Sequence, residues 1–304
     1  MKKLTIFTPT FNRAYCLADL YESLCRQTSK DFLWLIIDDG STDATKTLVE
    51  KWQKEEKVEI QYFYKENGGM HTAHNVAYEN IQTELNVCID SDDQMTDHAV
   101  ELITAFWQKN KSEKIAGILG LDEYKDGSIV SSRKFPEHLP SGKYYELAGK
   151  YGLIGDIKFV YKTEVIKKYM PYPTFEGEIF TPLGYKYLLV DYDYDMLFLN
   201  EPLCIVDYRK DGNSHNLIKQ YFRNPNGFLE ERKVRMSKSF TFEERLKNTI
   251  HFITSKLILK KWNFWSESTN KLLTIFALPL GALYYAYLNY KLKYDRTRKF
   301  QKVS

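Results

Sequence analysis

Cys88-Ile89-Asp90-Ser91-Asp92-Asp93 is a short apolar strand running out into three carboxylates within four residues. Asn86 to Asp90 reads as a buried strand, because a brief apolar run bounded by polar residues is what a sheet covered on both faces requires. The acids then stand at its C-terminal tip, which in an open parallel sheet faces the crevice where ligands bind. Three carboxylates so close repel one another unless a cation neutralises them. A helix expected to begin near Asp97 offers a second use for one acid as its cap. Capping needs only one, so the cluster points to a divalent cation.

Working outward, Leu4 to Thr8 is predicted as the first strand, Ala14 to Gln27 as a helix, Phe32 to Asp38 as the second strand and Ala44 to Glu55 as the next helix. Ile60 to Tyr64 is predicted as the third strand, followed by a helix ending near Ile81. This alternation implies right-handed βαβ units and a parallel sheet. Four polar loops, 8–13, 38–43, 67–69 and 90–93, then fall on one edge of that sheet. Each alone reads as turn chemistry, but four converging on one crevice is what a nucleotide site requires.

Thr8-Pro-Thr-Phe-Asn-Arg13, Ile37-Asp-Asp-Gly-Ser-Thr-Asp43, Asn67-Gly-Gly69 with Asn75, and Asp90-Ser-Asp-Asp93 together resemble the inverting nucleotide-sugar glycosyltransferases of family 2. The resemblance is close over about the first 120 residues. It implies the GT-A fold, an α/β architecture with a Rossmann-like, mostly parallel sheet flanked by helices, here with a basic and apolar helical C-terminal extension. It also implies a nucleotide site built from Thr8, Pro9, Thr10, Arg13, Asp38, Asp39, Gly69, Asn75, Asp90 and Ser91, with Asp39 accepting the N3–H of a uracil or thymine. Asp92, with Asp90, is the implied metal ligand, and His215 a late metal or diphosphate contact. No GxGxxG follows the first strand and no Walker A sequence occurs, so dinucleotide and P-loop readings fit less well.

An inverting transfer needs a base to deprotonate the acceptor hydroxyl. The family places it in a Glu-Asp pair, and the nearest match is Phe175-Glu-Gly-Glu-Ile-Phe180, where Ile179 stands in place of the Asp. Glu178 is therefore the first candidate, Glu176 the second and Asp156 the third. The rivals are a sugar-nucleotide pyrophosphorylase, which would carry a Gly-rich basic loop after the first strand, and a non-catalytic scaffold of the same fold.

Net charge +3 over 304 residues hides an asymmetry. Residues 245–304 hold 12 Lys and Arg against 2 Asp and Glu. Leu272 to Tyr290 is uncharged and interrupted by Pro279 and Gly281, which suggests an interfacial or re-entrant helix on an anionic membrane surface, with a single transmembrane anchor and a soluble core or dimer helix as the alternatives. The expected domains are 1–238, with a nucleotide half 1–120 and an acceptor half 121–238, and a membrane-associating tail 239–304. Four cysteines without metal or disulfide spacing suit a reducing cytoplasm, and the N-terminal run is too short for a signal peptide. The expected partners are a nucleotide-sugar donor and a glycan or lipid-linked acceptor at the inner membrane face, not nucleic acid.

Overall fold

The computed structural model describes residues 2–169, 171–207, 217–239 and 241–301. In order, these form β1 (Leu4–Thr10), α1 (Leu17–Arg26), β2 (Phe32–Asp38), α2 (Thr45–Glu55), β3 (Ile60–Tyr64), α3 (Met70–Asn80), β4 (Leu85–Cys88), β5 (Gln94–Met95), α4 (Ala99–Asn110) and β6 (Ile115–Glu123). Then come β7 (Ser141–Gly142), α5 (Tyr144–Gly149), β8 (Ile157–Lys162), α6 (Thr163–Ile166), α7 (Gly184–Asp193), β9 (Asp195–Ile205), α8 (Leu217–Arg223), α9 (Pro225–Lys238), α10 (Phe242–Ile258), α11 (Phe264–Glu267) and α12 (Lys271–Gln301). Two compact units result: Met1–Pro171 with Val190–Tyr208, and Tyr172–Leu189 with Arg209–Ser304. This division differs from the expected one at 238/239. α9 packs on α10 across that point, so the change in composition is not a structural border.

In the first unit the described strands order as β3-β2-β1-β4-β8-β6-β9-β5, with β7 on β9. β3, β2, β1 and β4 are parallel, as the strand–helix alternation requires, whereas β8 enters antiparallel between β4 and β6. β2 and β3 occupy their predicted spans. β1 runs two residues further than expected, because Pro9 and Thr10 still pair with Ile37 and Asp38.

The core beneath β1 and β2 is aromatic: Tyr21 stacks on Trp52 at 4.4 Å and 14°, and Trp34 lies 5.8 Å from Trp52. The Trp34 indole N–H donates to Thr8 Oγ1 at 3.0 Å, which satisfies the polar atom a buried indole must pair. Thr8 is thereby also a core residue, fully buried at the end of β1 expected to line the nucleotide.

In the second unit, α10 opens with Thr241, whose hydroxyl accepts from the Glu244 amide, half of a capping box. Lys256 is fully buried and gives its charge to Asn263 at 3.0 Å and Glu267 at 2.5 Å, while Lys233 meets the other Glu267 oxygen at 2.7 Å. Partial burial opposes these bonds, yet the two ammonium groups pull the Glu267 carboxyl down to about 2. α12 is one continuous helix through Pro279 and Gly281, contrary to the expected interruption. Gly281 is there for contact: a Cβ at this position would stand 2.5 Å from Ile253 Cγ2 on α10.

His251 of α10 packs edge-on against Tyr284 at 4.9 Å, and its Nδ1 has no hydrogen-bond partner among the described residues. Burial, then Arg232 and Lys247, push its pKa down to about 3. The unfolded chain takes up this proton near pH 6.5 and the folded chain does not, so stability falls as pH drops from about 6.5 toward 3. His251→Phe keeps the ring contact and removes this contribution; its melting temperature, compared with wild type between pH 7 and 4, should decline less steeply.

Candidate active site

Because β3, β2, β1 and β4 are parallel and in register, their C-terminal ends bring the four polar segments to one edge. Hydrogen bonds then lace the segments together. Asn12, at φ 53°, accepts from the Thr42 amide at 2.8 Å through Oδ1, and its own amide donates to Ser41 Oγ at 2.8 Å. The Ala14 amide donates to Asp43 Oδ2 at 3.0 Å. Gly40, at φ 90°, lies so close to the third segment that a Cβ would meet Asn67 N at 2.8 Å.

Asp38 and Asp39 are both buried and serve different neighbours. Asp38 accepts from the Ser41 amide at 2.7 Å and from Tyr62 Oη at 2.6 Å, so it closes the turn and is not open to a ligand. Asp39 accepts from the Gly68 amide at 3.0 Å and the Gly69 amide at 2.8 Å, and it pairs with Lys65 Nζ. Its carboxylate therefore fixes the backbone of 67–69, a role added to the nucleotide contact expected of it.

Thr10 is buried, its hydroxyl without a hydrogen-bond partner among the described residues, and Pro9 and Ser91 are buried too. Asn75 lies inward on α3.

At the end of β4 the acids divide. Asp92 Oδ2 accepts from Arg13 Nη1 at 3.2 Å, joining the first and fourth segments, and Asp90 is exposed beside it. Asp93 turns inward: it accepts from the Asp207 amide at 3.2 Å and faces Lys158 Nζ at 3.7 Å. Lys158 also stands 3.6 Å from Asp122. Burial pushes the Asp93 carboxyl up to about 7 and that of Asp122 up to about 6, with Lys158 opposing in both cases. Burial alone would lower Lys158, but Asp122, Cys204, Asp93 and Asp90 outweigh it and raise its pKa. Asp156 is exposed and within electrostatic reach of Asp90 and Asp122, so this candidate base does join the acidic edge.

Among the described residues no three His, Cys, Asp or Glu side chains form a complete metal cage. Asp90 and Asp92 are nonetheless hard oxygen donors, the set Mg2+ or Mn2+ takes when phosphate and water complete its shell. They fit a cation held jointly with a diphosphate.

Glu178 belongs to the other unit and is committed there. Its Oε1 accepts from the Asn226 amide at 2.9 Å and Asn226 Nδ2 at 2.7 Å, and its Oε2 from the Gly227 amide at 2.9 Å. A carboxylate on the first amides of α9 is a helix cap, favoured by the positive end of the helix dipole. That departs from its expected place as first choice for the base. Glu176 is exposed beside Gly177, at φ 76°. His215 lies outside the described residues.

The sequence model of "Glycosyl transferase family 2" matches residues 5–169, more than half of the chain. The chain belongs to glycosyl transferase family 2. An uncharacterized glycosyltransferase of Rickettsia felis is 34% identical over 108 residues, covering 36% of this chain and 18% of that protein. The poly(ribitol-phosphate) β-N-acetylglucosaminyltransferase TarS of Staphylococcus aureus is 28% identical over 126 residues, 40% of this chain and 22% of TarS. The chain thus spans about a fifth of the length of these relatives. The solved structure of TarS residues 1–349 with UDP-GlcNAc superposes with TM-score 0.58 at 17% identity, over 92% of this chain and 80% of that one. The mannosyltransferase PcManGT of Pyrobaculum calidifontis, solved with GDP-Man and Mn2+, gives 0.53 at 15% identity, over 95% and 82%. Both show the GT-A fold in this chain.

Within this family member, Lys158, Asp122 and Lys65 stand among the acids of this edge, and sequence reasoning did not assign them. Lys158 sat in a quoted segment, 155–158, but its partners lie 36 and 65 positions earlier and nothing local pairs them. Lys158→Met should leave Asp93 and Asp122 buried without a countercharge and cost about 3–5 kcal/mol in urea unfolding at pH 8. The deficit should narrow as pH falls through about 7 and then about 6, where Asp93 and Asp122 protonate in turn and no longer need the Lys158 charge.

Proposed function

We propose that this chain is a metal-dependent inverting glycosyltransferase that moves a sugar from a UDP-type nucleotide sugar to a glycan or polyprenyl-linked acceptor of a surface polysaccharide. The observation that carries the reading is the joining of Arg13 to Asp92 across the two segments at the sheet edge, with Asp90 and Asp39 on the same edge. The acetylglucosaminyl transfer named for TarS, and the UDP-GlcNAc in its structure, support the donor class and the polysaccharide setting.

In this reading Asp92 and Asp90 would hold Mg2+ or Mn2+, which supplies charge stabilisation to the diphosphate leaving group. Arg13, already at Asp92, adds a fixed positive charge facing phosphate oxygens. Asp39 would accept the base N3–H in place of the Lys65 ammonium, its other donors keeping the 67–69 backbone in position. Uracil and thymine offer that N3–H donor, and adenine does not. The acceptor proton would pass to Glu178, Glu176 or Asp156; Asp156 is exposed on the acidic edge, whereas both Glu178 oxygens accept from α9. The basic tail, 245–304, keeps the enzyme at the inner face of the cell membrane, where a lipid-linked acceptor lies.

Calorimetry with UDP, dTDP, GDP and ADP, each with and without Mn2+, tests the site. Wild type should bind UDP more tightly with Mn2+, and Asp92→Ala should lose most of that increment, about 10–100-fold. A folded chain that binds none of the four nucleotides would sink the proposal. For the base, Asp156→Asn should lower turnover by about 10²–10⁴-fold while nucleotide affinity is kept. Glu178→Gln should instead lower the melting temperature, and a turnover that survives Asp156→Asn would return the role to the 176–178 segment.

A further inference from the structure

α12 is apolar on two faces. One is used within its own unit: Leu273, Ala277, Gly281 and Leu288 are buried, and α12 packs on α10. The opposite face carries Leu272, Phe276, Leu283 and Tyr290, which are 70%, 76%, 67% and 67% exposed. Their spacing of four, seven and seven residues aligns them in one stripe, about 27 Å long at a helical rise of about 1.5 Å. A helix that packs on protein by one face ordinarily turns polar residues outward; this one presents no charge between Leu272 and Tyr290.

The ends of the stripe differ from its middle. Trp262 and Trp265 are exposed just before it, and Lys271 Nζ lies 5.4 Å from the Trp265 ring centroid. At the other end Lys291 Nζ lies 5.4 Å from the Tyr287 ring centroid. Aromatic rings paired with ammonium groups suit the headgroup level of a bilayer, the apolar stripe between them suits the acyl boundary, and residues 245–304 carry 12 basic against 2 acidic residues. That charge repels a second copy of the tail and attracts an anionic surface.

We propose that the Leu272–Phe276–Leu283–Tyr290 face of α12, flanked by Trp262 and Trp265, seats in the plane of an anionic lipid surface. The inference rests on the reading that the tail meets a membrane; it adds which face of α12 does so and which aromatic residues flank it. A spanning orientation is disfavoured by what α12 is bound to. α10, packed along its other side, bears Glu243, Glu244, Arg245 and Lys247 and holds the buried Lys256, all of which a span would draw toward hydrocarbon.

Flotation of the full chain with phosphatidylglycerol–phosphatidylcholine vesicles, and with phosphatidylcholine alone, tests this. Wild type should float with the anionic vesicles and be released by alkaline carbonate. Its tryptophan emission should shift to the blue on binding, because Trp34, Trp52 and Trp107 are already buried and only Trp262 and Trp265 can change surroundings. Phe276→Glu with Leu283→Glu alters exposed positions only and should lower partitioning at least about tenfold. Equal flotation by that double variant would overturn the assigned face, and retention through carbonate would overturn the in-plane orientation. A wild-type chain that ignores both vesicles, whether monomeric or self-associated in sedimentation, would overturn the inference altogether. UDP binding on the same preparations is the separate readout: its absence with flotation intact counts against the transferase reading and leaves the lipid face standing.

Discussion

Lys158 is the countercharge on which the acidic edge depends. Asp93 and Asp122 are buried, and Asp90 and Asp156 add negative charge nearby. Without a cation among them the ionised cluster would be costly to fold, and protonation would remove the ligand character of the edge. With Lys158 pointing in and Arg13 bridging to Asp92 on the outer side, inner acids serve the fold and outer acids stay at the open edge. One motif of three carboxylates is thus split by a single residue's turn of the chain.

A second constraint is satisfaction of loop backbone. The turns at this edge would expose amides that a ligand has to reorganise, but Asn12, Asp39 and Asp43 have already fixed them by side-chain bonds from neighbouring segments. The resulting surface is organised before any ligand arrives, which lowers the ordering cost of binding.

Local patterns made much of this legible. Period and length located β2 and β3 at their observed ends, and the strand–helix alternation implied the parallel order of the first four strands. What escaped was long-range pairing. Thr8 reads as a motif residue, but whether its hydroxyl faces a ligand or Trp34 depends on β1 continuing to Thr10, which is set by pairing with β2. Glu178 reads as a free acid because its acceptors are spoken for by amides nearly fifty residues later. The run from Leu272 to Tyr290 was plain as apolar, yet Pro279 and Gly281 suggested breaks that contact with α10 bridges. β8 entering antiparallel has no local signature either.

The commitment of Thr8, Asn12, Asp38 and Asp43 to the scaffold limits how such a site can diversify. A change at any of them would loosen the edge before it altered what the edge recognises. Phe11 and Tyr64, by contrast, are 46% and 59% exposed next to those scaffold positions. Substitution at these two positions alters the surface of the edge while leaving the frame intact.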